Sequence, residues 1–203
     1  TVGFPYTKAL LEYGNDKDVQ ANFVTNGMWL ANVVPEFVPH PPTKIAVSLD
    51  APTASEHNAI RRNARGFERA VKGIKALQDA LPETELEVST VFQPGKRQLL
   101  ERMPRFLRGL GVGHWNVNVE IIAGVGGPSK LTRTDNTLIR DMQILHKIAR
   151  DNKVQLTFDD ELGHLTELIL RLGITDKKFN SLRIGRLVHP EYTLRLRPNT
   201  RCS

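Results

Sequence analysis

The stretch that decides the fold is KIAVSLDAPTASEHNAIRRNARGFERAVKGIKAL, residues 44–77. It starts with a β-branched strand over 44–49 and runs into a helix over 66–81, whose apolar residues recur at a spacing of three and four. A polar connection containing Arg61 and Arg62 joins the two elements. The strand ends in a serine and an aspartate, where a buried strand would favour valine or isoleucine, so the pattern indicates polar groups aimed into a cleft.

The same strand–helix unit recurs along the chain. Strands are predicted over 19–25, 44–49, 86–92, 114–122 and 154–158, with helices between them, one of them over 97–110. The proline-rich segment 35–42 is predicted to be a loop. Such alternation predicts an α/β fold with parallel strands and right-handed crossovers.

The length of 203 residues falls short of the roughly 250 residues of a closed (β/α)8 barrel. We therefore predict an incomplete parallel (β/α) barrel over 1–190, with 191–203 as a C-terminal segment that starts a further domain. A doubly wound open parallel sheet is the alternative.

Composition excludes several function classes. The net charge of +6 comes from dispersed basic residues, which favours a solvated surface over nucleic-acid binding. Apolar runs are too short to span a bilayer, so we expect a cytoplasmic protein with no membrane partner. The single cysteine, Cys202, forms no intrachain disulfide and supplies neither a structural zinc site nor an iron–sulfur cluster by itself.

In parallel barrels the ligand lies at the carboxyl ends of the strands. The candidate site residues at that rim are Thr25, Asn26, Ser48, Asp50 and Asn118, joined by Arg61 from the connection after the second strand. A guanidinium binds a carboxylate bidentately, and short hydroxyl or carboxylate groups bond a ribose. Simpler interpretations stay open, because Asp50 can cap the turn before Pro52 and Arg61 can be a solvated helix residue.

Four segments, in their order and spacing, resemble the radical SAM superfamily. They are FVTNG at 23–27, VSLDAPTASEHNAIRR at 47–62, GFERAVKGIKAL at 66–77 and FLRGLGVGHWNVN at 106–118. The resemblance implies a partial (β/α)6 barrel that holds S-adenosylmethionine against a [4Fe–4S] cluster. It also implies a metal-binding, oxidoreductase-type activity in which reductive cleavage of the sulfonium yields a 5′-deoxyadenosyl radical.

The resemblance also implies roles for the candidate residues. Ser48 would contact the ribose or the aminoacyl group, and Arg61 would pair with the methionyl carboxylate. Thr25 and Asn26 would shape the pocket floor, and Asn118 would lie near the adenine. The partners it implies are S-adenosylmethionine and an unknown substrate.

Four departures from the superfamily pattern stand out. The C-x3-C-x2-C cluster motif is absent, and VGFP at 2–5 has phenylalanine where the family has a glutamate. The family's His-Asp pair is His57-Asn58 here, and Arg62 replaces a glycine. We therefore expect a fragment, inactive alone, whose cluster ligands lie outside this chain, or else a degenerate relative. Cys202 resembles the first cysteine of a SPASM-type auxiliary-cluster extension or is incidental.

Two other function classes stay open. A barrel hydrolase would use carboxylates at strand ends, here Asp50, Glu120 and the run Asp159, Asp160 and Glu161, although acids before a helix also serve as caps. A non-catalytic interaction module is the second alternative. Missing barrel strands would leave the flank of the strand over 19–25 unpaired, which predicts self-association.

Overall fold

The computed structural model describes residues 6–92, 96–119 and 135–159, which form a parallel sheet with helices between its strands. The strands are β1 (Asn22–Thr25), β2 (Lys44–Ser48), β3 (Glu85–Phe92), β4 (His114–Val119) and β5 (Gln155–Asp159). The helices are α1 (Thr7–Asp16), α2 (Leu30–Phe37), α3 (Ala54–Arg61), α4 (Gly66–Ala80), α5 (Arg97–Leu100), α6 (Met103–Gly109) and α7 (Asp135–Asp151).

The order of the strands in the sheet is β1-β2-β3-β4-β5, the same as their order in the chain, and every pairing is parallel. A doubly wound sheet would reverse direction at a switch point in the strand order. No reversal occurs among the described strands, so the prediction of a partial parallel barrel is confirmed and the doubly wound alternative is wrong.

The two faces of the sheet differ in chemistry because successive side chains of a strand point to opposite sides. The face toward the helices, called the outer face below, consists of Phe23, Thr25, Ile45, Val47, Leu86, Val88, Thr90, Phe92, Trp115, Val117, Leu156 and Phe158. The opposite, inner face carries Asn22, Val24, Lys44, Ala46, Ser48, Glu85, Glu87, Ser89, Val91, His114, Asn116, Asn118, Gln155 and Thr157. The hydrophobic core therefore lies between the outer face and the helices.

The Thr-Asn-Gly segment, which starts at the last residue of β1, forms a tight turn toward α2. Gly27 has a φ of +73°, and a Cβ on it would come within 2.9 Å of the Cα of Ala70 in α4. Further along α4, a Cβ on Gly73 would lie 2.8 Å from the Cβ of Leu30 in α2. The two glycines let α2 and α4 approach closely above β2.

Two predictions that involve prolines are wrong. Helix α2 continues through Pro35 to Phe37, where the prediction placed a loop, because Val34 and Phe37 both bury against the core. The single helix predicted over 97–110 is two helices, since Pro104 lacks an N–H and its ring would collide with the carbonyl of Leu100. Pro104 instead sits in the first turn of α6, where proline is tolerated.

Several predictions fall at or beyond the limits of the described chain. Strand β1 is at one edge of the described sheet, and its Val24 is 60% exposed, but self-association through this edge stays a prediction. The predicted domain boundary at 190 and the segment 191–203 lie outside the described residues.

No helix among 6–92, 96–119 and 135–159 is long and apolar enough to cross a bilayer.

Candidate ligand-binding site at the carboxyl ends of the strands

The structure brings Asp50 and Arg61 together. Asp50 lies two residues after the end of β2 and is buried, and its Oδ2 accepts a hydrogen bond from Nε of Arg61, the last residue of α3. Its Oδ1 accepts a second bond from the backbone N–H of Val91 in β3, at 3.0 Å. Because a buried carboxylate must be paired, Asp50 fixes the end of α3 to the rim of the sheet.

Two further residues of α3, His57 and Asn58, make hydrogen bonds within the connection between β2 and α4. The buried ring of His57 accepts a hydrogen bond at Nδ1 from the backbone N–H of Asp50, at 3.1 Å. Burial lowers the pKa of His57 below its ordinary value. The charges of Asp50 and Glu68 oppose this shift, and the charge of Arg61 adds to it. The lowered pKa favours the neutral ring, which can accept the bond at Nδ1.

Asn58, where the superfamily has an aspartate, uses both ends of its amide. Its Oδ1 accepts a bond from the backbone N–H of Phe67 at 2.9 Å, which caps the start of α4. Its Nδ2 donates to the carbonyl of Ala64 at 3.1 Å. An aspartate could make the first bond but not the second, because an ionised carboxylate has no proton to donate.

Thr25 and Asn26 both bond the turn that follows β1. Thr25 is buried on the outer face, and its Oγ1 accepts from the backbone N–H of Gly27 at 3.1 Å. The Oδ1 of Asn26 accepts from the backbone N–H of Met28, also at 3.1 Å. These bonds give both side chains a local structural role in the turn.

Ser48 and Asn118 lie on the inner face near the carboxyl ends of β2 and β4. Ser48 is half-buried and pairs in register with Ser89 of β3. The amide Nδ2 of Asn118 donates to the Oγ of Ser89 at 2.9 Å. A hydroxyl and amide row therefore crosses three neighbouring strands at this edge of the inner face.

An open cavity of about 430 Å³ lies along the inner face. It reaches from Asn118 and Ser89 down to a charged group at the amino ends of the strands, where Lys44 bonds Glu87 at 2.7 Å and Glu85 at 3.1 Å. Burial acts to lower the pKa of Lys44, but the bonds and charges of the two glutamates outweigh it and raise the pKa. The lysine is therefore charged at neutral pH.

The sequence reasoning missed most of this polar cavity. The prediction concentrated on residues at or just beyond the carboxyl ends of the strands, whereas most of the cavity lining, for example Lys44, Glu87 and Asn116, lies in the strands toward their middle and amino ends. The signal was present as a period of two in β3, β4 and β5, for example in HWNVNV at 114–119. That alternation indicates a sheet with one polar face, which a barrel filled by apolar side chains would lack.

Among the carboxylates of the hydrolase alternative, the structure describes the side chain of Asp50 alone. Both side-chain oxygens of Asp50 are engaged, and Asp159 ends β5. Glu120, Asp160 and Glu161 lie outside the described residues, as does Cys202. Within 6–92, 96–119 and 135–159 no group of three histidine, cysteine, aspartate or glutamate residues could hold a metal ion.

Known structures resemble this fold at low sequence identity. Streptococcus suis SuiB has a TM-score of 0.62 at 14% identity, with 88% of this chain and 42% of that chain covered. Its complex with S-adenosylmethionine gives 0.62 at 13% identity, with coverages of 88% and 41%. Its complex with the precursor peptide SuiA gives 0.63 at 14%, also with coverages of 88% and 41%.

A D-allulose 3-epimerase from Methylomonas sp. is a further structural neighbour, with a TM-score of 0.51 at 12% identity and coverages of 82% and 70%. No family model matches the chain. No curated protein matches it either. The chain spans about two-fifths of SuiB, and at these identities the likeness shows the fold alone: a partial parallel (β/α) barrel shared with a protein crystallised with S-adenosylmethionine.

Proposed function

We propose that this chain is part of the core of a radical SAM enzyme and binds S-adenosylmethionine at the carboxyl ends of its parallel strands. The order of the four sequence segments supports this, as does the fold shared with SuiB, which was crystallised with S-adenosylmethionine. The candidate cofactor-binding residues remain Thr25, Asn26, Ser48, Asp50, Arg61 and Asn118.

The observation that carries the proposal is the environment of Arg61. Its side chain is 36% exposed, and only its Nε is bonded to protein among the residues the structure describes. The Nη1 and Nη2 nitrogens thus make no bond to the described residues, and they lie at the rim where parallel barrels bind ligands. A methionyl carboxylate fits these two donors, because guanidinium and carboxylate form paired, charge-assisted bonds.

The rest of the ligand would use neutral polar groups. In this proposal Ser48 bonds the ribose or aminoacyl part, and Asn118 lies near the adenine. The inner-face cavity of about 430 Å³, which Asn118 lines but Ser48 and Arg61 do not, would receive the substrate. Its lining of amides, hydroxyls and a charged Lys44–Glu87 pair favours a polar substrate.

The residues present do not fit an iron–sulfur cluster. Cluster iron is held by cysteine thiolates, and the only cysteine of the 203 residues is Cys202. The proposal therefore places the cluster ligands outside this sequence, and we derive no chemical step through the cluster. What this chain's own residues would contribute is binding and orientation of S-adenosylmethionine.

Isothermal titration of the 203-residue chain with S-adenosylmethionine tests the proposal. Loss of one charge-assisted pair weakens affinity about tenfold to a hundredfold, which is the effect expected for Arg61→Ala. Arg65→Ala is the matched control, because Arg65 is exposed at the start of α4, and it should leave the affinity unchanged. Equal affinities for wild type and Arg61→Ala would remove Arg61 from the site.

A further inference from the structure

Asp50 is constrained from three sides. Its side chain is 3% exposed, and its two carboxylate oxygens accept from Nε of Arg61 and from the backbone N–H of Val91. Its own backbone N–H is held by Nδ1 of His57. A carboxylate buried and bonded in this way has little freedom to turn toward a ligand.

Asp50 bonds Arg61 at Nε and not at the terminal Nη nitrogens. A guanidinium is planar and rigid, so a bond at Nε, together with the covalent attachment of the side chain, restricts the directions in which the two Nη nitrogens can point. Those nitrogens form the far end of the side chain, which can meet a second carboxylate bidentately. Asp50 therefore holds the arginine by its near nitrogen, and no residue in 6–92, 96–119 or 135–159 bonds its terminal edge.

We propose that Asp50 is a positioning residue, which orients Arg61 for the carboxylate of the ligand and does not itself contact the ligand. This inference rests on the proposed function, because it concerns the same carboxylate-binding group. It reassigns Asp50 from the predicted set of ligand contacts to the support of Arg61.

Charge attraction and positioning predict opposite effects of removing Asp50 on the affinity for a carboxylate ligand. Asp50 is an anion beside the arginine, so removing it should strengthen the binding of a carboxylate if only net charge counted. If positioning dominates, removing it should weaken binding, because Arg61 would lose its fixed orientation. A third alternative, in which Asp50 bonds the ribose, predicts equal weakening for any ligand that carries a ribose.

Two ligands separate these alternatives. S-Adenosylmethionine carries both ribose and carboxylate, whereas 5′-methylthioadenosine keeps the ribose and adenine but has no carboxylate. In titrations of the 203-residue chain, we expect Asp50→Ala to lower the affinity for S-adenosylmethionine about five- to tenfold, which is part of the loss expected for a full charge-assisted pair. The affinity for 5′-methylthioadenosine should be unchanged. In an Arg61→Ala background, Asp50→Ala should cause no further loss.

Asp50→Asn guards against a variant that merely folds poorly. It has the same shape and keeps one oxygen acceptor, so it should bind S-adenosylmethionine with an affinity between those of wild type and Asp50→Ala. Unchanged or tighter binding of S-adenosylmethionine by Asp50→Ala would overturn the inference. So would equal weakening of both ligands.

A readout without ligand distinguishes failure of this inference from failure of the proposed function. In the nitrogen-15 NMR spectrum, the Nε–H signal of Arg61 should be protected from exchange in wild type and lose that protection in Asp50→Ala. A wild type that binds no S-adenosylmethionine but shows this difference would refute the proposed function alone. An unprotected Nε–H in wild type would refute the positioning role itself.

Discussion

The outer and inner faces of the same sheet differ in almost every physical respect. Val88, Trp115 and Phe158 on the outer face are at most 1% exposed and pack beneath the helices. On the inner face, Glu87, Asn116 and Thr157 occupy the alternate positions, and an open cavity runs along them. Both faces belong to the same parallel strands, which are paired by one set of backbone hydrogen bonds.

The difference separates stability from chemistry. Burial of apolar area is the dominant favourable term in folding, so the outer face and its helices stabilise this part of the chain. The inner face gains little from burial, and its hydroxyls, amides and charges can exchange protein bonds for bonds to a ligand or to water. Substitutions on the two faces should therefore differ in their effect on stability.

The largest expected effect comes from two residues of β4 that point to opposite faces. Trp115→Ala should lower the free energy of unfolding by about 3–5 kcal/mol, because it leaves a cavity and removes the 2.8 Å bond from its Nε1 to Thr90 Oγ1. Asn118→Ala should cost no more than about 1.5 kcal/mol, the value of its bond to Ser89. Urea unfolding of both variants measures the difference, and equal losses would contradict the division into two faces.

An intermediate effect is expected in the helical layer over the outer face. Gly73→Ala should destabilise the fold by about 1–3 kcal/mol, because the added Cβ would meet the Cβ of Leu30 at 2.8 Å. Gly109→Ala in α6 is the control, with no atom within 4 Å of the added carbon, and should stabilise by up to about 1 kcal/mol. Thermal unfolding should therefore shift in opposite directions, and a shared direction would contradict close α2–α4 packing.

The smallest effect belongs to the rim between the two faces. Arg62 ends α3 in the left-handed region, with a φ of 51° and a ψ of 43°, where an L side chain is strained. Arg62→Gly relieves the strain of the left-handed conformation, but glycine has more conformational entropy to lose on folding. The net effect should be a stabilisation of about 0.5–1 kcal/mol. Arg65→Gly, at a φ of −129°, should give no gain. A loss of stability in Arg62→Gly would show that the arginine side chain contributes more than its backbone strain costs.

Two features of this connection depend on how α3 and α4 meet. Arg62 has a left-handed conformation, which a glycine adopts without strain. The amide of Asn58 donates to the carbonyl of Ala64, which an ionised aspartate could not do. Neither feature was accessible from spacing alone, because φ angles and carbonyl positions depend on tertiary packing.

The sequence by itself determined the α/β class, all five strands and the helix α4, because period and strand–helix alternation are local properties of the chain. It also singled out Ser48, Asp50 and Arg61 as one polar connection after a buried strand. The tertiary structure alone decided that Asp50 pairs with Arg61 and Val91, residues 11 and 41 positions away. It also decided that the inner face is an open polar cavity, because which face of a strand the helices cover depends on the packing of distant elements.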